Sequence, residues 1–389
     1  MTRATTQYLP QNDAPAPARP DSRIVLVVDS LAGGGAEKVV LELGRALVEQ
    51  NVDAIVISLT GHTTYTVPED LPVYFLYPLK KVPFYSRWKR ATHASDLQEL
   101  IAHIGHTRGP IDLVVSNLDY SHYILSACHL PNIVYVVHNA LEQTMARAKR
   151  MGPVKWLRQR RLFRSLEGKS LVAVSDSLKA ELQTTRLFNA ESVRRIYNPF
   201  NIEQIRALAA QPNADIPSAP YLIHVGRFAR QKRHDLLFSA LKKSGDKRPL
   251  VCLGANEKGI NRLARKLGVE DQVVVPGFQQ NPYPWIKHAD GLVLSSDYEG
   301  LSMVIVESLI CGTPVAATDC PHGPAELLSK TLPENLVPAG EAQALGNVLG
   351  KLDGLLKIDN ANGFFNQFDH REIARQYIAL AKGQASIEE

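Results

Sequence analysis

Two acidic residues eight positions apart, Glu299 and Glu307, flank a Gly-Leu-Ser turn that leads into an apolar segment. Ser302 is a favoured helix N-cap, so the sequence predicts a helix whose first-turn amides and positive dipole end face an anion such as a diphosphate. Glu307 then lies roughly 7 Å along that helix. Its carboxylate can accept two hydrogen bonds from a ribose diol, and Glu299 can bind hexose hydroxyls in the same way. The pattern indicates a sugar-nucleotide site, with two solvated acids near a helix start as the alternative.

Two cations lie where a diphosphate would need them. Arg227 follows the predicted strand that ends in His224-Val225-Gly226, and Lys232 comes five residues later, near the start of the next helix. Together they could neutralise the negative charge of a leaving diphosphate.

A glycine run follows the first predicted strand and leads directly into a helix. Gly33, Gly34 and Gly35 would let the backbone approach a ligand closely. A nicotinamide dinucleotide site is disfavoured, because the spacing is not G-x-G-x-x-G and the second strand lacks a terminal acid to hold a ribose. A glycine-rich turn without a ligand remains the alternative.

His138 ends a strongly apolar strand, so its ring should project from the sheet edge, where a neutral imidazole could bond a sugar hydroxyl or stabilise developing charge. A structural histidine is the alternative. Asp297 with Glu299 is a weak match to a metal-binding pair, and we predict no metal site.

The composition is that of a cytoplasmic globular protein with more than one core. The chain has 389 residues, and residues 1–22 form a polar, proline-rich stretch without the apolar core of a signal peptide. We expect a disordered tail there and no membrane-spanning segment. The four cysteines match no metal or redox spacing. Their spacing is typical of small buried apolar residues in a reducing compartment. These cysteines are Cys128, Cys252, Cys311 and Cys320.

Short β-branched runs alternate with helical patterns, which predicts an α/β fold with two doubly wound, Rossmann-like domains facing one another across a cleft. The predicted strands are 23–29, 53–59, 73–77, 112–116, 133–138 and 170–175, then 221–225, 250–253, 272–275, 291–295 and 314–317. We predict five segments: a tail (1–22), an N-terminal domain (23–200), a linker (201–219), a C-terminal domain (220–370) and a C-terminal helix (371–389) that could pack back on the N-terminal domain.

Together, these features resemble the retaining glycosyltransferases of family 4, which have the GT-B fold. The features are Gly34-Gly35, His138, Gly226-Arg227 with Lys232, the Glu299 to Glu307 spacing, and the loop Thr318–Glu326. The resemblance implies that the C-terminal domain binds a nucleotide sugar, commonly UDP-linked, that the N-terminal domain binds the acceptor, and that neither metal nor cofactor is required.

Carried over residue by residue, the resemblance assigns Glu307 to the ribose and Glu299 to the donor sugar. Arg227, Lys232 and the amides of Leu301, Ser302 and Met303 would hold the diphosphate, with Gly34 and Gly35 closing on it. His138 would contact the donor hexose, which makes it and Glu299 the catalytic candidates. Ser302 stands where family members often have Gly or Pro, and it resembles members that transfer galactose, glucose or their N-acetylated relatives in bacterial surface glycans.

Basic and aromatic residues cluster in the first half of the chain. Nine cations and one acid lie between Ala146 and Lys169, which predicts a basic amphipathic helix. A second cluster runs from Lys80 to Arg90. We expect an anionic membrane surface or the acceptor to bind there, through Lys80, Lys81, Arg87, Trp88, Arg158 and Arg161. A solvated face is the alternative, and nucleic acid is disfavoured because the net charge is only +5.

The sequence therefore predicts a retaining transferase that moves a hexose or N-acetylhexosamine to a glycan acceptor on a lipid, at the cytoplasmic face of the inner membrane. Such acceptors include lipopolysaccharide core, O-antigen and lipid-linked oligosaccharide. Two alternatives remain: a sugar-nucleotide epimerase or phosphorylase of the same fold, and a non-catalytic protein that binds glycan or membrane.

Overall fold

The chain forms two compact units. The structure, a computed structural model, describes residues 14–78, 84–254, 256–354 and 363–384. The first unit contains the chain up to Phe200 together with the segment from Asn366 onward, and the second contains Asn201–Phe365.

The first unit is built on a seven-stranded parallel sheet in the order β3-β2-β1-β4-β5-β6-β7. Its strands are β1 (Ser22–Val28), β2 (Val52–Thr60), β3 (Val73–Tyr77), β4 (Leu113–Asn117), β5 (Ile133–Val137), β6 (Ser170–Ala173) and β7 (Ser192–Arg195). The central strand β1 is buried along its whole length. Helices connect the strands: α1 (Gly35–Val48), α2 (Arg90–Arg108), α3 (Asp119–Leu125), α4 (Leu141–Arg150), α5 (Pro153–Arg164) and α6 (Asp176–Thr184).

The second unit has a six-stranded parallel sheet in the order β10-β9-β8-β11-β12-β13. Its strands are β8 (Leu222–Val225), β9 (Leu250–Leu253), β10 (Val273–Gly277), β11 (Gly291–Leu294), β12 (Val315–Asp319) and β13 (Leu336–Pro338). Its helices are α7 (Ile202–Ala209), α8 (His234–Ser244), α9 (Glu257–Leu267), α10 (Tyr283–Lys287), α11 (Met303–Cys311), α12 (Pro324–Leu328) and α13 (Ala342–Leu349).

In each sheet the first strand along the chain lies in the interior. The following strands are added on one side of it and then, after one reversal, on the other side, which is the doubly wound arrangement. The reversal lies between β1 and β4 in the first unit and between β8 and β11 in the second. In open parallel sheets, ligands bind outside the carboxyl ends of the strands at this reversal. Each unit therefore has one such edge, formed by the loops after those strands.

The chain returns to the first unit at its C-terminal end. Residues 201–219, predicted as a linker, include α7, which contacts α10 and α11 in the second unit. Helix α14 (His370–Ala381) belongs to the first unit and packs against α1, where His370 Nε2 lies 2.9 Å from Glu49 Oε2. Just before this helix, the Phe200 amide donates to the Phe368 carbonyl at 2.9 Å.

The prediction of one basic helix between Ala146 and Lys169 is wrong. Two helices, α4 and α5, meet at a corner formed by Met151 and Gly152, whose φ is 109°. Pro153, the first residue of α5, has no amide hydrogen, so it starts a helix well and does not continue one.

Candidate functional site

The loops after β8 and β11 bring together the two residues on which the sequence-based site depends. Lys232 Nζ donates to Glu299 Oε1 at 2.8 Å. The side chains are 20% and 10% exposed, so this ion pair is largely shielded from solvent. An opposite pair of charges therefore lies at the reversal edge of the second sheet.

Backbone and side-chain bonds hold these two loops to each other. Gln231 Nε2 donates to the Tyr298 carbonyl at 2.7 Å, and the Asp297 amide donates to the Gln231 carbonyl at 2.8 Å. Ser295 Oγ donates to the Lys232 carbonyl at 2.8 Å. The positions of both partners are therefore fixed by neighbouring residues, as a preorganised site requires.

Gly226 leaves space for the Lys232 side chain. A Cβ on Gly226 would lie 3.5 Å from Lys232 Cε and 3.2 Å from His224 Nε2. His224 is fully buried, and its Nδ1 lies 2.9 Å from the Val293 carbonyl, to which it must donate. Burial lowers the pKa of His224 to about 4, so the ring is neutral at pH 7. Its Nε2 has no partner among the described residues.

The loop after β12 packs tightly against the start of α11. The Glu299 amide donates to the Pro321 carbonyl at 3.0 Å. Gly323 has a φ of 98°, and a Cβ there would lie 3.0 Å from the Ser302 amide nitrogen. Only glycine fits this combination of backbone angle and close approach.

Ser302 is the N-cap residue of α11, as predicted, but its side chain makes no capping hydrogen bond. The residue is 2% exposed, and its hydroxyl has no partner among the described residues. Met303 is the first residue of the helix, and Leu301 is buried just before it. The start of α11 thus combines first-turn amides with a buried, unsatisfied hydroxyl.

Glu307 lies in the second turn of α11 and is 4% exposed. The Tyr283 hydroxyl donates to Glu307 Oε1 at 3.4 Å. Tyr283 lies 24 residues upstream on α10, and nothing in the sequence indicates that it contacts Glu307. Arg227 is exposed, and its guanidinium has no partner among the described residues, so it is available to an anion.

At the reversal edge of the first sheet, Gly34 is the N-cap of α1 and Gly35 its first residue. The Tyr65 hydroxyl donates to the Gly34 carbonyl at 3.0 Å. A Cβ on Gly34 would lie 2.2 Å from Glu37 Oε2, so the acidic side chain folds over the glycine. The predicted glycine run is therefore a tightly packed start of a helix.

His138 lies beside Asn117 at the same edge. The side-chain nitrogen Nδ2 of Asn117 donates to the carbonyls of Val27 and Val115. Its side-chain oxygen Oδ1 therefore faces His138 Nε2 at 2.9 Å. His138 must then carry its proton on Nε2, which leaves Nδ1 as an acceptor. Burial lowers the pKa of His138 to about 4, so the ring is neutral at pH 7.

Asp29 at the end of β1 is a second feature of this edge, to which the sequence assigned no role. Its carboxylate accepts from the amide and the hydroxyl of Ser121, both at 2.7 Å. Burial raises the pKa of Asp29 to about 8, although the bonds from Ser121 act in the opposite direction. Asp29 thereby ties β1 to the start of α3.

The predicted membrane or acceptor surface is partly described. Arg87 lies over the ring of Trp88 at 4.8 Å, and Arg158 lies over the ring of Tyr85 at 3.9 Å. Trp88 is 83% exposed, and Arg161 is exposed on α5. Lys80 and Lys81, which belong to the same prediction, lie outside the described residues.

Within residues 14–78, 84–254, 256–354 and 363–384, no helix combines the length and the apolar character that a membrane crossing requires. Nor do these ranges bring three His, Cys, Asp or Glu side chains together in a way that could hold a metal ion.

Two family models match consecutive parts of the chain. The model described as Glycosyltransferase Family 4 matches residues 33–204, and the model described as Glycosyl transferases group 1 matches residues 209–352. Together they match most of the chain.

Similar proteins carry related names. The lipopolysaccharide 1,6-galactosyltransferase of Salmonella typhimurium is 28% identical over 48% of this chain, which spans only 52% of that relative. An N-acetylgalactosaminyltransferase of Campylobacter jejuni that acts on a diphospho-undecaprenol-linked sugar is 24% identical over 78% of this chain and 83% of its own. A structure of HepE from Anabaena in complex with UDP and glucose superimposes with a TM-score of 0.68 at 19% identity, covering 93% of this chain and all of that one. The family matches and the two parallel sheets show that the chain belongs to the glycosyltransferases of family 4 and has the GT-B fold.

Proposed function

We propose that the protein transfers a hexose or N-acetylhexosamine from a UDP-linked donor to a glycan acceptor on a lipid, with retention of anomeric configuration and without a metal ion. The observation that carries this proposal is the Lys232–Glu299 ion pair, held at the reversal edge of the second sheet beside the start of α11. A site of this kind combines positive charge for a diphosphate with a carboxylate for sugar hydroxyls.

The donor would bind along the second unit. Lys232 and Arg227 would contact the diphosphate, whose oxygens would also accept from the amides of Leu301, Ser302 and Met303 where α11 begins. Glu307 would accept from the ribose diol. The complex of HepE with UDP and glucose supports the choice of nucleotide, because that protein shares the fold and its structure contains both a nucleoside diphosphate and a hexose.

The chemical step would depend on charge and positioning. As the bond from the anomeric carbon to the phosphate breaks, Lys232 and Arg227 would stabilise the negative charge on the departing diphosphate, which reduces the need for a divalent cation. Glu299 would orient the hexose. The departing phosphate would take the proton of the attacking acceptor hydroxyl, on the face from which it leaves. On the first unit, the neutral Nδ1 of His138 would accept from a sugar hydroxyl.

The acceptor would be a lipid-linked glycan at the cytoplasmic face of the inner membrane. The names of the Salmonella and Campylobacter relatives support this class of acceptor, since both include a lipid-anchored glycan. The basic and aromatic surface of the first unit, with Arg87, Trp88, Arg158 and Arg161, supports attachment to anionic lipid.

A transfer assay tests this proposal. The purified protein is incubated with UDP-glucose, UDP-galactose, their N-acetylated counterparts or GDP-mannose, together with lipid-linked glycans. We expect one UDP sugar to give UDP and an α-linked product, identified by the coupling of its anomeric proton, with activity retained in EDTA and lost in Lys232→Ala. A β-linked product would contradict retention. Release of a sugar phosphate that depends on orthophosphate, without transfer, would contradict the transferase proposal.

A further inference from the structure

The corner between α4 and α5 carries an unusual group of exposed apolar side chains. Met151 is 49% exposed, Val154 78% and Leu157 51%. With Tyr85 and Trp88, they account for five of the eight large hydrophobic residues exposed in the described part of the chain. Contiguous apolar exposure of this kind marks an interaction surface. We refer to Met151, Val154 and Leu157 as the corner.

The corner adjoins the aromatic segment around Trp88. Arg158, on α5 beside Leu157, lies 3.9 Å from the centre of the Tyr85 ring and 5.3 Å from that of Tyr120. Arg90 anchors the same segment to the first unit by donating to the Tyr123 carbonyl at 2.7 Å. Arg158 therefore joins α5, which carries Val154 and Leu157, to the segment that contains Tyr85 and Trp88.

The chain on both sides of the corner is strongly basic. The sequence contains no acid between Glu142 and Glu167, while eight cations lie in that interval. Lys149, Arg150, Lys155, Arg161 and Arg164 are exposed. A partner that matches both properties must combine an apolar interior with a negatively charged surface, which describes an anionic lipid bilayer.

The orientation of α5 follows from the side chains that it already buries. Leu162 and Phe163 are 4% and 5% exposed, and α5 packs against α3 and α4. Because these apolar residues face the protein, α5 cannot lie flat on a bilayer with its apolar face inserted. The exposed apolar residues are instead confined to its first turns.

Along one exposed stripe of α5, apolar residues give way to cations. Val154 and Leu157 come first, and Arg161 and Arg164 follow. At 1.5 Å per residue, Arg161 lies about 10 Å from Val154 along the axis. That distance matches the depth of about 5–10 Å to which interfacial segments insert. If Val154 lies among the acyl chains, Arg161 lies at the phosphates.

The backbone of the corner is suited to a poorly hydrated layer. The Met151 amide donates to the Arg147 carbonyl at 3.1 Å, and the Gly152 amide donates to the Lys149 carbonyl at 3.2 Å. Pro153 has no amide hydrogen to satisfy. Lys149, Arg150 and Lys155 beside the corner have long side chains that can extend back to the headgroups.

We propose that the corner inserts tip-first into an anionic bilayer, with Arg161 and Arg164 at the headgroups. This proposal rests on the proposed function, because it specifies how the enzyme reaches a lipid-linked acceptor. It identifies the inserting residues and their orientation.

Vesicle partitioning of the full chain tests the proposal. Vesicles of phosphatidylglycerol and phosphatidylcholine are compared with vesicles of phosphatidylcholine alone, using wild type and the double variant V154N/L157N. We expect the variant to bind the anionic vesicles on the order of 100-fold more weakly, because two apolar side chains no longer leave water. The matched control is Val274→Asn, at a 41% exposed valine of the second unit, which should bind like wild type. Arg161→Gln and Arg164→Gln should each weaken binding about 5-fold on anionic vesicles.

Depth measurements test the orientation. Tryptophan introduced by Val154→Trp should be quenched by lipids brominated within their acyl chains, beyond the quenching seen in wild type, whereas Arg164→Trp should not. Equal quenching at both positions, or equal partitioning of V154N/L157N and wild type, would overturn tip-first insertion. Failure of wild type to bind either vesicle would overturn the membrane partner. UDP affinity, measured on the same samples, reports on the proposed donor site separately, because the donor residues lie in the second unit.

Discussion

Lys232 and Glu299 neutralise each other at the position proposed for the donor diphosphate. Lys232→Ala would remove a phosphate contact and also leave a shielded carboxylate unpaired beside the phosphates. We expect it to weaken UDP binding by about 2 kcal/mol or more, roughly 30-fold. The double variant Lys232→Ala/Glu299→Gln has no uncompensated charge. Its loss of UDP-binding free energy should therefore be smaller than the sum of the losses in the two single variants. Isothermal titration of all four proteins measures this, and strictly additive losses would contradict the coupling.

Glu307 is proposed to bind the ribose diol, which a pair of matched ligands can test. Wild type should bind UDP about 10-fold or more tightly than 2′-deoxy-UDP, because a hydrogen bond to a charged group contributes about 1.5–3 kcal/mol. Glu307→Gln keeps the size of the side chain and should largely lose this discrimination. Tyr283→Phe is the control, since it removes the hydroxyl bonded to Glu307 Oε1 and leaves the carboxylate in place. Undiminished discrimination by Glu307→Gln would place the ribose elsewhere.

At the scale of elements, the start of α11 depends on the close approach of Gly323. Gly323→Ala combines a strained φ of 98° with a Cβ 3.0 Å from a backbone nitrogen that cannot move aside. Gly340→Ala is a matched control in the same unit, because its φ is 84° but its Cβ would meet no atom within 4 Å. We expect the control to cost about 1–2 kcal/mol in the free energy of unfolding, and Gly323→Ala to cost more and also weaken UDP binding. Urea denaturation and titration measure both, and equal effects would show that the approach to α11 is unimportant.

The elements differ in how well sequence predicted them. The apolar strands were predicted within about two residues, because fully buried parallel strands such as β1 read as continuous hydrophobic runs. β7 and β13 were missed. They are short edge strands, and β7 is the polar Ser-Val-Arg-Arg. The Gly152-Pro153 pair signals a break between α4 and α5. The prediction of one helix was wrong because it was based on the number of cations in this segment and not on these two residues.

The candidate site was predictable only where one segment of chain contains it. Ser302 at the N-cap and Glu307 within α11 follow from local pattern. The contacts from Lys232 to Glu299 and from Tyr283 to Glu307 join residues 67 and 24 positions apart. Such contacts are set by strand order, which spacing along the chain does not reveal.

At the scale of the whole molecule, buried histidines make stability depend on pH. Burial lowers the pKa of His122 and His138 in the first unit and of His224 and His234 in the second. Below the ordinary value of 6.5, the unfolded chain binds protons that the folded chain does not. The stabilisation is therefore complete above about pH 6.5 and is lost as the pH falls toward the folded values. The raised pKa values of Asp29 and Asp119 act in the opposite direction, but fewer groups contribute.

His234→Phe tests this account. Both ring nitrogens of His234 are buried without partners among the described residues, and the ring packs against Phe228 and Phe238. The variant should lose less stability than wild type between pH 7 and pH 5, as measured by the urea midpoint. His106→Asn, at an exposed histidine, should behave like wild type. An unchanged pH dependence in His234→Phe would show that this ring does not contribute.

The second unit is proposed to bind the nucleoside diphosphate of a sugar donor. The most direct test is equilibrium binding of UDP, GDP, ADP and NAD to the purified protein, with Lys232→Ala and Glu307→Ala measured alongside. We predict that UDP binds most tightly and that both substitutions weaken its binding while leaving the fold intact by circular dichroism. Binding of none of these nucleotides, binding of NAD alone, or UDP binding that neither substitution alters would contradict the account.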